Sequence, residues 1–260
     1  MTTSIAAADV AALRARTGVG ILDAKNALEE AKGDQETAID ILRKKGKAQA
    51  VKKADRQQTE GAIFIASDGS KAALVQVRCE TDFVGRSDVF LKFGQALADR
   101  LLAKGKTAFD AFAAEKVPAA VLELGENISI AETKEVSAPV LGTYVHSNRK
   151  IGVIVGLSAG TKEQACDAAM HAAAMNPLYV RPEEVTADSV LKEKEIWKEQ
   201  MKNEKKPPEI LEKIMLGKEK KFREENALLT QPFAKDPSRT VGTMLGSGDI
   251  TAYTRVSIAL

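Results

Sequence analysis

The sequence predicts an α+β protein in three parts: an amino-terminal three-helix bundle, a core built from a duplicated hairpin-plus-helix unit, and a projecting antiparallel helical hairpin. Three observations predict it. Apolar residues recur at three- and four-residue steps through residues 4–46. From Gly61 the period shortens to two in two separate stretches, each followed by a helical pattern. Residues 188–226 return to steps of four and seven inside a run of mixed charge.

Within the first part, a helix carrying Val10 and Leu13 runs to Arg16 and is broken by Thr17-Gly18-Val19-Gly20. A second helix places Ile21, Leu22, Ala24, Leu28 and Ala31 at helical spacing and stops at Gly33. Asp34 is a natural N-cap for the third, which buries Ile39 and Leu42 and is expected to end at Gly46. So small a bundle buries only a modest core and reads as a recognition module. After it, Arg43, Lys44, Lys45, Lys47, Lys52, Lys53 and Arg56 read as a solvated linker or helix end, with an acidic partner or phosphate backbone as the alternative.

Ala62–Ala66 and Ala72–Glu80 read as strands joined across Asp68-Gly69, a strong hairpin signal. Ser87 and Asp88 then cap a helix with Val89, Phe93, Leu97 and Leu101 four apart. The second copy pairs Gly142–His146 with Ile151–Ser158 across Asn148. Thr161 and Gln164 form a capping box for an alanine-rich helix that passes His171 and ends before Pro177. Between the copies lie a short helix near Thr107–Glu115 and a strand near Asn127–Val136. Beyond them Val190, Trp197, Met201, Leu211, Met215 and Phe222 form the thin seam of two helices with Pro207-Pro208 at the tip. A short helix near Thr240–Leu245 and a strand at Ile250–Ile258 follow. The expected units are 1–55, 56–140 and 141–187 for the module and the two core halves, then 188–228 for the hairpin and 229–260 returning to the core.

The two copies differ in one place. Val77 to Asp88 is about eleven residues and Val155 to Thr161 about six, so Cys79-Glu80-Thr81-Asp82-Phe83-Val84-Gly85-Arg86 is not needed to close the unit. Either Phe83 tucks into the core or the segment is an exposed functional loop; the unequal lengths favour the loop.

Composition removes other classes. With 38 basic and 36 acidic side chains in 260 residues, the net charge of +2 gives no global field to hold nucleic acid. Two cysteines and two histidines make neither a disulfide framework nor a histidine metal centre, and no phosphate-binding glycine loop or nucleophile elbow occurs. Cys79 is the one nucleophile worth weighing, but Ala73, Val75, Val77 and Cys79 alternate on one strand face, which favours a buried thiol. No apolar run reaches membrane-spanning length, and the charged start lacks a signal-peptide core, so a reducing, cytoplasmic location is expected.

Leu13-Arg14-Ala15-Arg16-Thr17-Gly18-Val19-Gly20-Ile21-Leu22-Asp23-Ala24-Lys25-Asn26-Ala27-Leu28 and Cys79-Glu80-Thr81-Asp82-Phe83-Val84 are similar to the two signatures of the elongation factor Ts family. Gly125-Glu126-Asn127-Ile128, Met170-His171-Ala172-Ala173-Ala174, Gln231-Pro232-Phe233 and Asp236-Pro237-Ser238-Arg239-Thr240-Val241-Gly242 continue the resemblance in order. It implies a bundle similar to ubiquitin-associated (UBA) domains, and guanine-nucleotide exchange on elongation factor Tu, GDP-bound and nucleotide-free. No bond chemistry, cofactor, membrane or specific nucleic acid is implied. Thr81, Asp82, Phe83 and Val84 would form the loop that dislodges the partner's Mg²⁺. Arg14, Ile21, Leu22, Lys25 and His171 would contact the partner, unless Ile21 and Leu22 are bundle core and His171 is packed. A docking scaffold that uses only the bundle and the hairpin is the rival function. Nothing in the periodicity chooses between a monomer, a homodimer and a heterotetramer with the partner.

Overall fold

The computed structural model describes residues 5–202 and 207–258. Three helices come first, α1 (Ala7–Thr17), α2 (Ile21–Glu30) and α3 (Gln35–Lys53). Gly18 ends α1 in the left-handed region, its N–H returning to the Arg14 carbonyl. Asp34 caps α3, its carboxylate accepting from Thr37 N–H at 2.7 Å. Leu13, Ala24, Leu28 and Leu42 meet in a small core that also takes in Leu122 from far along the chain.

The third helix does not end at Gly46, as the sequence suggested, but runs on to Lys53. Gly46 is buried where α3 crosses a later helix, and a Cβ there would lie 2.7 Å from the Pro118 carbonyl oxygen. The glycine permits close helix approach and does not stop the helix. The basic run is therefore mostly helix, and several of its cations are engaged within the chain. Lys45 pairs with Asp23, Arg43 with Glu115 and Arg56 with Glu80, while Lys53 donates to the Gly125 carbonyl.

Next, β1 (Glu60–Ser67) and β2 (Lys71–Cys79) pair antiparallel with Phe64 opposite Val75. The turn between them is held by Asp68, whose carboxylate accepts from the N–H groups of Ser70 and Lys71. One helical turn, α4 (Asp82–Gly85), leads to α5 (Asp88–Leu124), which breaks at Gly105. The buried stripe of α5 is Phe90, Gly94, Leu97 and Leu101, so Phe90 and Gly94 take the places expected for Val89 and Phe93. Gly94 is why: the Phe64 ring fills the space where its side chain would be. Beyond Gly105 the helix extends well past the short Thr107–Glu115 segment expected. The strand β3 (Ser129–Ser137) then completes a sheet of order β1-β2-β3.

The second half repeats the plan. Strands β4 (Val140–Val145) and β5 (Ile151–Leu157) precede α6 (Lys162–Met175), which carries the expected Thr161–Gln164 capping box. Two helices follow, α7 (Ala187–Met201) and α8 (Pro208–Asn226). Trp197 meets the Phe222 ring edge-on at 5.9 Å, and Lys194 pairs with Glu219 at 2.6 Å. Pro207 and Pro208, expected at the hairpin tip, are the N-cap and first residue of α8, and residues 203–206 before them lie outside the described residues. The chain returns through β6 (Pro232–Phe233), β7 (Asp236–Thr240), α9 (Val241–Leu245) and β8 (Ile250–Ser257), the last giving a sheet of order β4-β5-β8.

Strand alternation explains the layering. On one face of the first sheet Phe64, Val75 and Val77 pack against Leu97 and Leu101 of α5. On its other face Ile63 and Leu74 pack against Leu141, Ile154 and Val256 of the second sheet. The far face of that sheet, with Val153, Val155 and Leu157, is covered by the alanines of α6. The order is helix, sheet, sheet, helix. The central strands are buried on both faces, and they hold the ends of β2 and β5 in fixed positions.

Candidate functional site

The segment singled out by the unequal copies leaves the end of β2 at the edge of this sandwich. It is a capped helical turn, more ordered than the loop expected. Thr81 is the N-cap, its hydroxyl accepting from Val84 N–H at 3.3 Å. Val84 turns inward against the first core, whereas Phe83 points outward and is 84% exposed. Asp82 pairs with Arg86 one turn on, at 3.2 Å. Among the described residues the Phe83 ring packs on little, and an exposed aromatic on a capped turn is a candidate contact for a partner.

Cys79 lies beneath this turn, fully buried, with its thiol donating to the Thr81 carbonyl at 3.2 Å. Burial pushes the thiol up to about 12, so at neutral pH it is protonated and inert as a nucleophile. Beside the turn a cleft of about 560 Å³ is lined by Glu60, Asp82, Arg86, Arg149 and Lys150 among others. Here the second half buttresses the first. Lys150 pairs with Glu60 and donates to the Gly61 carbonyl, the Arg149 carbonyl accepts from Ile63 N–H at 2.8 Å, and the Arg149 guanidinium sits over the Phe64 ring.

The turn is also fastened from below by residues with no role assigned from the sequence. The Glu126 carboxylate accepts from the N–H groups of Glu80 and Thr81 and from the Thr81 hydroxyl. In return the Glu80 carboxylate accepts from Asn127 N–H at 2.6 Å. These residues stood out only as positions in ordered motifs. No spacing rule connects side chains 45 to 47 residues apart.

On the amino-terminal module, Ile21 is 63% and Leu22 70% exposed, so neither is bundle core. Both lie at the start of α2. Ile21 joins Ile5, Val10, Ala11, Arg14 and Lys25 around a shallow hollow of about 400 Å³. Arg14 donates to the Val19 carbonyl and Lys25 lies 3.6 Å from Glu29, so the hollow is apolar with charged groups at its rim.

His171 is a correction. Its side chain is 1% exposed and offers no surface for a direct partner contact in this conformation. Ala234 N–H donates to its Nδ1 at 3.1 Å, so the proton sits on Nε2 and is donated to Gln231 Oε1 at 2.9 Å. The imidazole therefore anchors the Gln231-Pro232-Phe233 segment, and Lys235 beside it pairs with Asp167 of α6. Burial holds the imidazole pKa below its ordinary 6.5, an effect opposed by the Gln231 hydrogen bond. The unfolded chain thus takes up the proton first. The stability this residue contributes is complete above about pH 6.5 and is lost as pH falls through the lower folded value. Denaturation midpoints measured from pH 8 to pH 5 should fall, with a smaller slope in His171→Gln; an equal slope in both would refute the assignment.

Among the described residues no helix is long and apolar enough to cross a membrane, and no cluster of three or more His, Cys, Asp or Glu side chains is placed to hold a metal ion.

Comparison with known proteins agrees with the geometry. The sequence model of the elongation factor TS family matches residues 80–259, which include the Phe83 turn and both sheets' last strands. The elongation factor Ts of Marinobacter nauticus is 43% identical over 263 residues, covering 98% of this chain and 91% of the relative. That of Aeromonas hydrophila is also 43% identical, with the same coverage. That of Colwellia psychrerythraea is 44% identical over 250 residues, 95% of this chain and 88% of its own. With the family's model spanning the exposed Phe83 turn and likeness along nearly its whole length, the chain belongs to the elongation factor Ts family.

Proposed function

We propose that this chain accelerates GDP release from elongation factor Tu by pressing Phe83 between elements of the partner's G domain and so displacing the bound Mg²⁺. Membership of the family makes it a factor of translation elongation and implies nucleotide exchange on that partner. The observation that carries the finer reading is Phe83 itself, bare on a turn fastened by Glu126. Mg²⁺ bridges nucleotide phosphates to protein, so moving the elements that hold it weakens GDP binding without any bond being made or broken. Only differential affinity is needed: the factor binds nucleotide-free partner better than nucleotide-bound partner, and nucleotide weakens the factor by the same ratio. Each tenfold of that coupling is about 1.4 kcal/mol.

In this reading residues 1–55 are a UBA-like docking module and Arg14, Ile21, Leu22 and Lys25 its contact patch. The duplicated core, 56–140 and 141–187 with 229–260 returning to it, holds the wedge, and 188–228 project as a helical hairpin. His171 acts at one remove, by holding Gln231–Phe233 in place. The protein works in the cytoplasm.

The test loads elongation factor Tu with a fluorescent GDP analogue and follows its release into excess unlabelled GDP. A substoichiometric amount of the chain should speed release with turnover, and the gain should shrink once Mg²⁺ is chelated. Binding without faster release would leave only a docking scaffold. In the same assay, Ile21→Ser with Leu22→Ser should raise the half-saturating concentration about tenfold or more, since two apolar anchors are lost. The maximal rate should be nearly unchanged. A lost maximal rate with unaltered affinity would remove the docking role from this patch.

A further inference from the structure

The strand-to-helix connection of the second half carries its own Thr161–Gln164 capping box and is tied to α9 and the residues after it, the Gln164 side chain donating to the Met244 carbonyl and Ser158 N–H to the Asp249 carbonyl. Its counterpart in the first half is clamped by a carboxylate from the loop between α5 and β3, and the clamp occurs where the Phe83 turn does. Thr81 has a single hydroxyl proton. By donating it to Glu126 Oε1 at 2.5 Å, the hydroxyl keeps a lone pair for Val84 N–H, the cap of the turn that carries Phe83. Glu126 Oε2 takes the N–H groups of Glu80 and Thr81 at 2.9 and 3.0 Å. One carboxylate thus sets both the end of β2 and the orientation of the capping hydroxyl.

Its neighbour extends the linkage. The Asn127 side chain is buried and donates to the carbonyls of Ala54 and Arg56, just past the end of α3. The Gln58 side chain returns to the Asn127 carbonyl at 2.9 Å. Two consecutive residues therefore join the Phe83 turn to the base of the amino-terminal module.

We propose that Glu126 is a positioning residue for the Phe83 turn and that Asn127 ties this position to the module bearing Ile21 and Leu22. The proposal rests on the wedge reading for its consequence in exchange, but the placement itself can be measured on the free chain. Hydrogen exchange of full-length Glu126→Ala should be about tenfold or more faster at Thr81 and Glu80, where bonds to a charged acceptor are lost. Phe64 and Val75 amides in the sheet should stay at wild-type rates. With saturating Glu126→Ala, maximal acceleration of GDP release should fall about tenfold, while the half-saturating concentration moves less than about threefold because the Ile21–Leu22 patch is intact. Glu126→Gln keeps one acceptor oxygen and should lie between. Should Glu126→Ala fold poorly, Thr81→Val removes only the hydroxyl relay and should lower the maximal rate in the same direction. Wild-type exchange at residues 80 and 81 in a folded Glu126→Ala, or a wild-type maximal rate, overturns the proposal. A wild-type chain that fails to speed release refutes the wedge reading instead, and the exchange measurement still decides the positioning role.

Discussion

Replacing Phe83 with alanine should leave the melting temperature of the free chain essentially unchanged and remove most of its acceleration of GDP release. Both halves follow from one fact. At 84% exposure the ring packs on little within the chain, so truncating it opens no cavity. The fastening of the turn by Thr81 and Glu126 does not involve the ring. At an interface a buried aromatic anchor is worth about 2 kcal/mol or more, so the maximal rate should fall roughly 30-fold. Stopped-flow release of a fluorescent GDP analogue, beside calorimetry of the free variant, measures both. A folded variant with undiminished acceleration would refute the wedge.

The largest stability effect expected is at Gly142→Ala in β4. A Cβ there would stand 2.1 Å from the Ala165 carbonyl carbon and 2.2 Å from the Cys166 nitrogen, both in the backbone of α6. Backbone cannot swing aside as a side chain can, so the helix must lift from its sheet and loosen the packing of Val153, Val155, Ala168 and Ala172. Overpacking of this kind costs about 1–3 kcal/mol, occasionally more. For a chain of this size that lowers Tm by roughly 2–4 °C per kcal/mol. The control has the opposite sign. Gly217→Ala in α8 meets nothing within 4 Å and should gain about 0.5–1 kcal/mol through helix propensity. If Gly142→Ala melted with the wild type, the close approach of α6 to β4 would not be the constraint it is taken to be.

Much of this architecture could be read from local signals. The change of period at Gly61, the Asp68-Gly69 turn, the Asp34 cap and the Thr161–Gln164 box each rest on residues within a few positions of one another, and each is present. The exposed segment was legible because two copies of one plan could be compared in length. Long-range contacts were not legible. Gly46 carried an ordinary stop signal, yet Pro118, 72 residues away, is the reason a glycine stands there. Phe90 and Gly94 took the fully buried positions, leaving Val89 exposed and Phe93 partly buried against the same core, and a side chain at 94 would occupy the place of the Phe64 ring. His171 lay on a small-residue face compatible with surface or interior, and its partners, Gln231 and Ala234, come from beyond α8. The Glu126 clamp is of the same kind: each half of it is an unremarkable polar residue until the fold brings them together.

The order already present in the Phe83 turn bears on the entropy of association. Fixing the backbone of a free loop costs roughly 1–2 kcal/mol per residue, so ordering Asp82, Phe83, Val84 and Gly85 on contact would cost roughly 4–8 kcal/mol. That exceeds the 2 kcal/mol or so an aromatic anchor typically supplies. A wedge on a floppy loop would fold its own backbone at the expense of the force it applies. Here that cost is met during folding, through Thr81, Glu126 and the buried Val84, and only the rotamers of one ring remain to be frozen on contact. In the proposed wedge the compliance of the complex then lies on the partner's side, so the structure expected to yield is the one holding the nucleotide.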